Sequence, residues 1–230
     1  MPTNFNLSSQ LFSEAFWRSM FSEFDFFKSI QSDIEKESLD LELLRINADY
    51  NTGSISSFSA WTLFLLCRYF KVRRAIEVGT FIGRSTMFMA KAMNLQGGGE
   101  IHTCDASNDI TVALQSPTSI VQYKKQSSTE MLSALTGIFD FVFIDGRLSD
   151  ADIERLAELL GSNAIVALDD FEGTEKGVAN LFKLRSHPYF QKLFLIPPPT
   201  LEMGQKLGFT SRCLTAVLMP PSLITLTNQG

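Results

Sequence analysis

The sequence predicts an α/β fold: a doubly wound, mostly parallel sheet of seven strands with the last antiparallel, preceded by an N-terminal helical extension. Three observations carry that expectation. Phe139-Asp140-Phe141-Val142-Phe143-Ile144 and Ala164-Ile165-Val166-Ala167-Leu168 are almost continuously apolar, as central parallel strands covered on both faces are. From residue 74 onward, strand-length apolar runs alternate with helix-length segments, the rhythm of repeated βαβ units. Finally, Ala75-Ile76-Glu77-Val78 passes through Gly79-Thr80-Phe81-Ile82-Gly83 into a helical segment beginning at Arg84, which reads as strand, glycine turn and helix.

Taken in order, residues 1–52 form the helical extension, because Phe12, Phe16, Trp17, Phe21, Phe24, Phe26 and Phe27 recur at helical rather than alternating spacing. These aromatics are expected to pack on the core or at a subunit interface. So large an aromatic surface has few partners within a chain of this size, and a homodimer follows as the expectation. The helix through Ser38–Asn47 should end before the turn-rich Asp49-Tyr50-Asn51-Thr52-Gly53. Ser54-Ile55-Ser56 offers serine caps for a helix over 58–70. Strands follow at 74–78, 100–105, 119–125, 139–145 and 163–169, with helices at 84–94, 128–135, 150–160 and 174–185 between and after them. Segments 190–196 and 213–219, separated by Pro197-Pro198-Pro199 and a polar loop, read as an antiparallel hairpin at the sheet edge. The α/β domain thus runs over 53–219, with 220–230 as a tail.

Composition narrows the function classes. The 230 residues carry 20 Lys and Arg against 25 Asp and Glu, a net charge of −5, so nucleic acid is not an expected partner. The first basic residue is Arg18 and the apolar run Trp61–Cys67 is too short to span a bilayer, which predicts a cytoplasmic protein with no membrane association. Cys67, Cys104 and Cys213 are far apart, lack metal-site spacing and suit a reducing compartment.

In open α/β sheets ligands bind outside the carboxyl ends of the strands, and here those ends are polar: Glu77 with Gly79, Asp105, Ser127-Ser128, Asp145, and Asp169-Asp170. Each alone reads equally well as a helix cap; together on one rim they form a candidate site. Asp105 has an independent case, since a carboxylate can accept both hydroxyls of a ribose. Phe81 stands where a dinucleotide turn needs glycine to let the backbone meet a pyrophosphate, which counts against an NAD-dependent oxidoreductase. A ligand with a ribose and an amino acid but no phosphate, such as S-adenosylmethionine, tolerates that phenyl group.

The pattern Glu77-x-Gly79-x-x-x-Gly83 resembles the first motif of class I methyltransferases. The order of Ile55-Ser56 before a helix, Glu77 to Gly83, Asp105, Phe139 to Gly146 and Leu168-Asp169-Asp170 is similar to small-molecule O-methyltransferases of the caffeoyl-CoA and catechol types, over residues 53–218. The resemblance implies a Rossmann-like domain that takes S-adenosylmethionine and methylates oxygen on a small-molecule acceptor. It implies cofactor contacts at Glu77, Gly79, Thr80, Phe81, Gly83, Ser85 and Asp105, with Ser127 and Ser128 near the adenine and Asp145 closing the site. Asp145, Asp169 and Asp170 resemble the acidic positions of cation-dependent members, which implies Mg2+ or another divalent cation, with Asp145 and Asp169 as the catalytic pair. Such a cation would lower the pKa of the acceptor hydroxyl and orient its oxygen. The competing reading makes one of the paired aspartates a cap for the 174–185 helix, since neighbours on an extended strand point to opposite faces unless the chain bends.

One departure stands out. Many relatives place a histidine or lysine shortly after the strand-four aspartate, where this chain has Arg147-Leu148-Ser149-Asp150. His102 lies within a strand and His187 after the last crossover helix, so both read as structural; Asp145, Asp170 or a metal-activated acceptor would replace the missing base. Arg147 is a candidate for recognising an acidic substrate. The alternative function is a module that binds the cofactor without transferring methyl.

Overall fold

The computed structural model describes residues 4–46, 54–107 and 114–224. The expected turn at 49–53 and the end of the tail lie outside the described residues. Two helices, α1 (Asn4–Phe21) and α2 (Phe24–Ile46), precede α3 (Ser57–Tyr69). The alternating part then runs β1 (Arg74–Val78), α4 (Arg84–Asn94), β2 (Glu100–Asp105), β3 (Ser119–Lys124), α5 (Ser128–Ala134), β4 (Phe139–Ile144), α6 (Asp150–Leu159), β5 (Leu160–Leu168) and α7 (Lys176–Leu184). It closes with α8 (Pro188–Gln191), β6 (Phe194–Ile196), α9 (Leu201–Lys206), β7 (Ala216–Met219) and α10 (Pro221–Ile224).

The seven strands make one sheet in the order β3-β2-β1-β4-β5-β7-β6. The first five are parallel neighbours, and β7 pairs antiparallel with both β5 and β6. Strand order reverses between β1 and β4, so the carboxyl ends of β1, β2 and β4 flank the crevice where such sheets take ligands.

Period-two alternation splits the core between the two faces of the sheet. Phe141, Phe143, Ile165, Ala167, Val217 and Met219 face α1 to α4, while Val142, Ile144, Val166, Leu168 and Leu218 face α5, α6 and α7. The apolar look of β4 and β5 is this double burial. Phe16, Trp17, Phe21, Phe24 and Phe27 are buried within the chain, in ring contacts that run through Phe58, Trp61 and Phe209. The aromatic surface that prompted the homodimer is thus largely satisfied internally, although Phe26 is 77% exposed. The Trp17 indole N–H also donates to the Pro197 carbonyl at 2.8 Å, tying α1 to the loop after β6.

The last third departs most from expectation. Pro188, at the first helical position with His187 as cap, starts a helical turn where a strand was expected, so β6 is only three residues. The polar loop contains α9, capped by the Thr200 hydroxyl, which accepts from the Met203 N–H. β7 starts at Ala216 because Cys213 and Thr215 are engaged elsewhere, Thr215 with Asp169. β5 begins at Leu160, with a register irregularity opposite Phe139 and Phe141. Among the described residues, no helix is long and apolar enough to cross a membrane.

Candidate functional site

A cavity of about 380 Å³ opens at the carboxyl ends of β1, β2 and β4, lined by Gly79, Phe81, Asp105, Ser107, Ser127, Ser128, Asp145, Arg147 and Lys176 among others. Its floor is the turn after β1. Gly79 has φ +105° and a Cβ there would lie 3.1 Å from the Asp145 carbonyl carbon, so only glycine lets the β1 and β4 ends approach this closely. Phe81 adopts φ +45°, a conformation that costs a non-glycine residue of order 1–3 kcal/mol. Asp105 holds it there: one carboxylate oxygen accepts from the Phe81 N–H and the other from the Ser107 N–H, both at 2.8 Å. Each of those oxygens keeps a further lone pair for a ligand hydroxyl.

Four residues expected to touch the cofactor lie behind this turn rather than in the cavity. Glu77 is fully buried, accepting from Ser85 at 2.5 Å, from Thr103 at 2.6 Å and from Thr86. Burial pushes its carboxyl up to about 7, against the pull of those three hydroxyls. Thr80 shares a hydrogen bond with Thr103, and Ser85 is consumed by Glu77. Gly83 caps α4 at φ +81° under the Leu114 side chain. These residues build and support the turn. Ser127 and Ser128 do line the cavity, but their hydroxyls serve the fold: Ser127 forms a capping box with Glu130, and Ser128 donates to Asp152 at 2.8 Å.

The three aspartates do not converge. Asp169 turns into the fold, its Oδ1 accepting from the Thr215 hydroxyl at 2.7 Å, and burial together with the neighbouring Asp145 charge pushes it up to about 7. Asp170, at φ +50°, swings the other way. Between Asp170 and Asp145 lies the Lys176 ammonium, 2.6 Å from Asp145 Oδ1 and 3.1 Å from Asp170 Oδ2. Burial pushes Asp145 up to about 6 even though Lys176 pulls it down. Among the described residues, no group of three or more His, Cys, Asp or Glu side chains is arranged to hold a metal ion. The expected metal set of Asp145, Asp169 and Asp170 is therefore not assembled, and Asp169 is not presented to the cavity. Adjacent residues at a strand end diverge, as β-geometry dictates, and the bend at Asp170 aims its carboxylate at a lysine instead.

Lys176 is the residue that sequence reasoning missed. It sits 31 positions after Asp145, and the signal was Gly177 beside it: a Cβ at Gly177 would fall 2.1 Å from the Asp169 carbonyl oxygen, so α7 begins hard against the Asp169-Asp170 turn. Ser107 was also missed. Its hydroxyl is buried at the cavity without a hydrogen-bond partner among the described residues, a polar atom available to a ligand. His102 and His187 do not line the cavity. The former contacts Glu100 and the Tyr123 hydroxyl on β2 and β3; the latter caps α8 and faces Glu154.

Residues 76–171, which carry the turn, Asp105, Asp145 and the Asp169-Asp170 pair, match the family model described as a methyltransferase domain. The fold is that of the class I methyltransferases. Solved structures of this methyltransferase fold superpose along most of their length. Cofactor-bound Rv0187 from MTB is 22% identical, with a TM-score of 0.61, over 80% of this chain and 89% of that one. The O-methyltransferase from Bacillus cereus in complex with SAH is 18% identical, with a TM-score of 0.55, over 84% and 94%. The SAH-bound methyltransferase PaMTH1 from Podospora anserina is 14% identical, with a TM-score of 0.54, over 85% and 95%. No curated protein matches the sequence. In this methyltransferase fold the cavity, the Gly79 turn and Asp105 fall together at the reversal of strand order.

Proposed function

We propose that this chain is an S-adenosylmethionine-dependent O-methyltransferase acting on a small molecule in the cytoplasm. The observation that carries the reading is the β1–β2 rim, where the glycine turn, a carboxylate with spare lone pairs and a Ser107 hydroxyl without a partner among the described residues meet in one cavity. S-adenosylmethionine supplies an electrophilic methyl group on a sulfonium. Asp105 and Ser107 would hold the ribose hydroxyls, and the bare Gly79 backbone would lie against the methionine portion. On the acceptor side, Asp145 has one oxygen engaged by Lys176 and the other without a partner among the described residues, and its raised pKa makes it a better base than an ordinary aspartate. An acceptor oxygen in line with that methyl would form the C–O bond while the C–S bonding pair goes to sulfur, and Asp145 would take the acceptor proton. Holding the two reactants in line is the main contribution such a reaction asks of the protein. Arg147, exposed at the cavity mouth, would favour an acceptor bearing a negative charge.

Three buried cysteines without disulfides are consistent with the cytoplasmic setting. The second reading is a module that binds the cofactor without transferring methyl; against it stands Asp145, which lines the cavity with one oxygen unengaged among the described residues. Calorimetric titration with S-adenosylhomocysteine tests the proposal. Wild type should bind, and Asp105→Ala should weaken binding about tenfold or more, for the loss of charge-assisted hydrogen bonds. A folded wild type that shows no binding heat overturns the reading.

A further inference from the structure

We propose that the Lys176 ammonium stands in the place of a divalent cation, so that methyl transfer by this chain needs no metal and the acceptor oxygen is held by a lysine N–H. The inference rests on the methyltransferase reading above and deepens it.

The geometry has three parts. First, the ammonium bridges Asp145, which lines the cavity, and Asp170 beside it, the pair that would otherwise be the start of an oxygen shell for a hard cation. The third candidate, Asp169, is occupied by Thr215. A metal ion would have to displace the lysine and recruit a ligand that faces elsewhere. Second, Lys176 is built into this position. It is the first residue of α7, where the helix dipole disfavours a cation, and it is held there because Gly177 lets α7 abut the Asp169-Asp170 turn. A local rule broken at a ligand cavity, with the compensation supplied by two carboxylates, is the pattern of a functional position. Burial works against the charge, yet the two carboxylates more than offset it and hold the lysine pKa above its ordinary value. Third, a lysine ammonium has three donors; Asp145 and Asp170 use two, and Lys176 lines the cavity at 27% exposure with no other partner among the described residues. The remaining N–H is available to the acceptor oxygen, where it stabilises negative charge developing as the proton leaves for Asp145.

Titration calorimetry with Mn2+ alone, on wild type, Lys176→Met and Lys176→Arg, tests this, with S-adenosylhomocysteine binding measured on each as the control for an intact fold. Wild type and the arginine variant should give no Mn2+ binding. The methionine variant leaves two carboxylates facing each other and should gain Mn2+ affinity by about tenfold or more over wild type. Wild-type turnover should be unchanged by a chelator. Stoichiometric Mn2+ binding by wild type, chelator-sensitive turnover, or a methionine variant that binds S-adenosylhomocysteine but stays blind to Mn2+ would each overturn the proposal. If the methionine variant does not fold, wild type and the arginine variant still decide it. Loss of S-adenosylhomocysteine binding in wild type would instead count against the broader methyltransferase reading.

Discussion

Replacing Glu77 by glutamine should change how stability depends on pH. In the native protein this carboxyl is fully buried and titrates near 7, whereas its ordinary value is 4.5. A raised folded pKa means that, between those values, the native state holds a proton which the unfolded chain has released. Stability from this group is therefore full below pH 4.5 and lost as pH rises through 7. The interval corresponds, at about 1.4 kcal/mol per pH unit, to about 3 kcal/mol. Because the side chain has no solvent contact, water does not screen that figure. Glutamine cannot ionise, and the three hydroxyls around it can rotate to donate or accept. Urea unfolding of both proteins at about pH 5 and about pH 8 isolates the effect, because Asp145 and Asp169 titrate in both and largely cancel in the difference. Between the two conditions, the stability difference should move by about 2 to 3 kcal/mol in favour of Glu77→Gln, since part of the effect is already lost at about pH 5. A difference that stays constant with pH would refute the claim that burial, rather than hydrogen bonding, dominates this carboxyl.

Two further expectations concern the turn and the surface. Gly79→Ala places a Cβ 3.1 Å from the Asp145 backbone at a positive φ, so it should weaken S-adenosylhomocysteine binding and lower the unfolding midpoint together; a variant with unaltered affinity would mean the turn is not the cofactor's floor. A homodimer now has to rest on the exposed Phe26, Phe182 and Phe194 rather than on the N-terminal aromatics as a whole, and Phe26→Ser with Phe194→Ser should shift sedimentation from dimer to monomer. Wild type sedimenting as a monomer at micromolar concentration would dispose of the dimer.

The elements most legible in the sequence are those whose local signals agree. Helix α4 and strands β1 and β2 match residue for residue, because glycine punctuation, apolar runs and helical spacing point the same way there. Legibility fails where a side chain's partner is remote. Nothing near Glu77 shows that Ser85, Thr86 and Thr103 will draw it behind the turn; a carboxylate before a glycine motif reads alike whether it faces ligand or core. The acidic pair at 169–170 was visible, but the separate directions of its members depend on Thr215 and Lys176, neither of which a spacing rule connects to them. In the region from 188 to 215, short helices replaced expected strand and loop because capping by His187 and Thr200 outweighed weak strand propensity.

The placement of β7 has a consequence for how the chain matures during synthesis. β6 is made before β7, yet among the described residues it pairs only with β7, and β7 alone covers Val166, Ala167 and Leu168 on the far side of β5. Until Ala216–Met219 has left the ribosome, the apolar Val166–Leu168 edge of β5 lacks the strand that covers it, and β6 lacks its partner. Closure of the sheet at this edge waits on a four-residue segment made after the five parallel strands. Translation pausing just upstream of that segment would prolong the period in which the growing chain is most exposed to pairing with its neighbours.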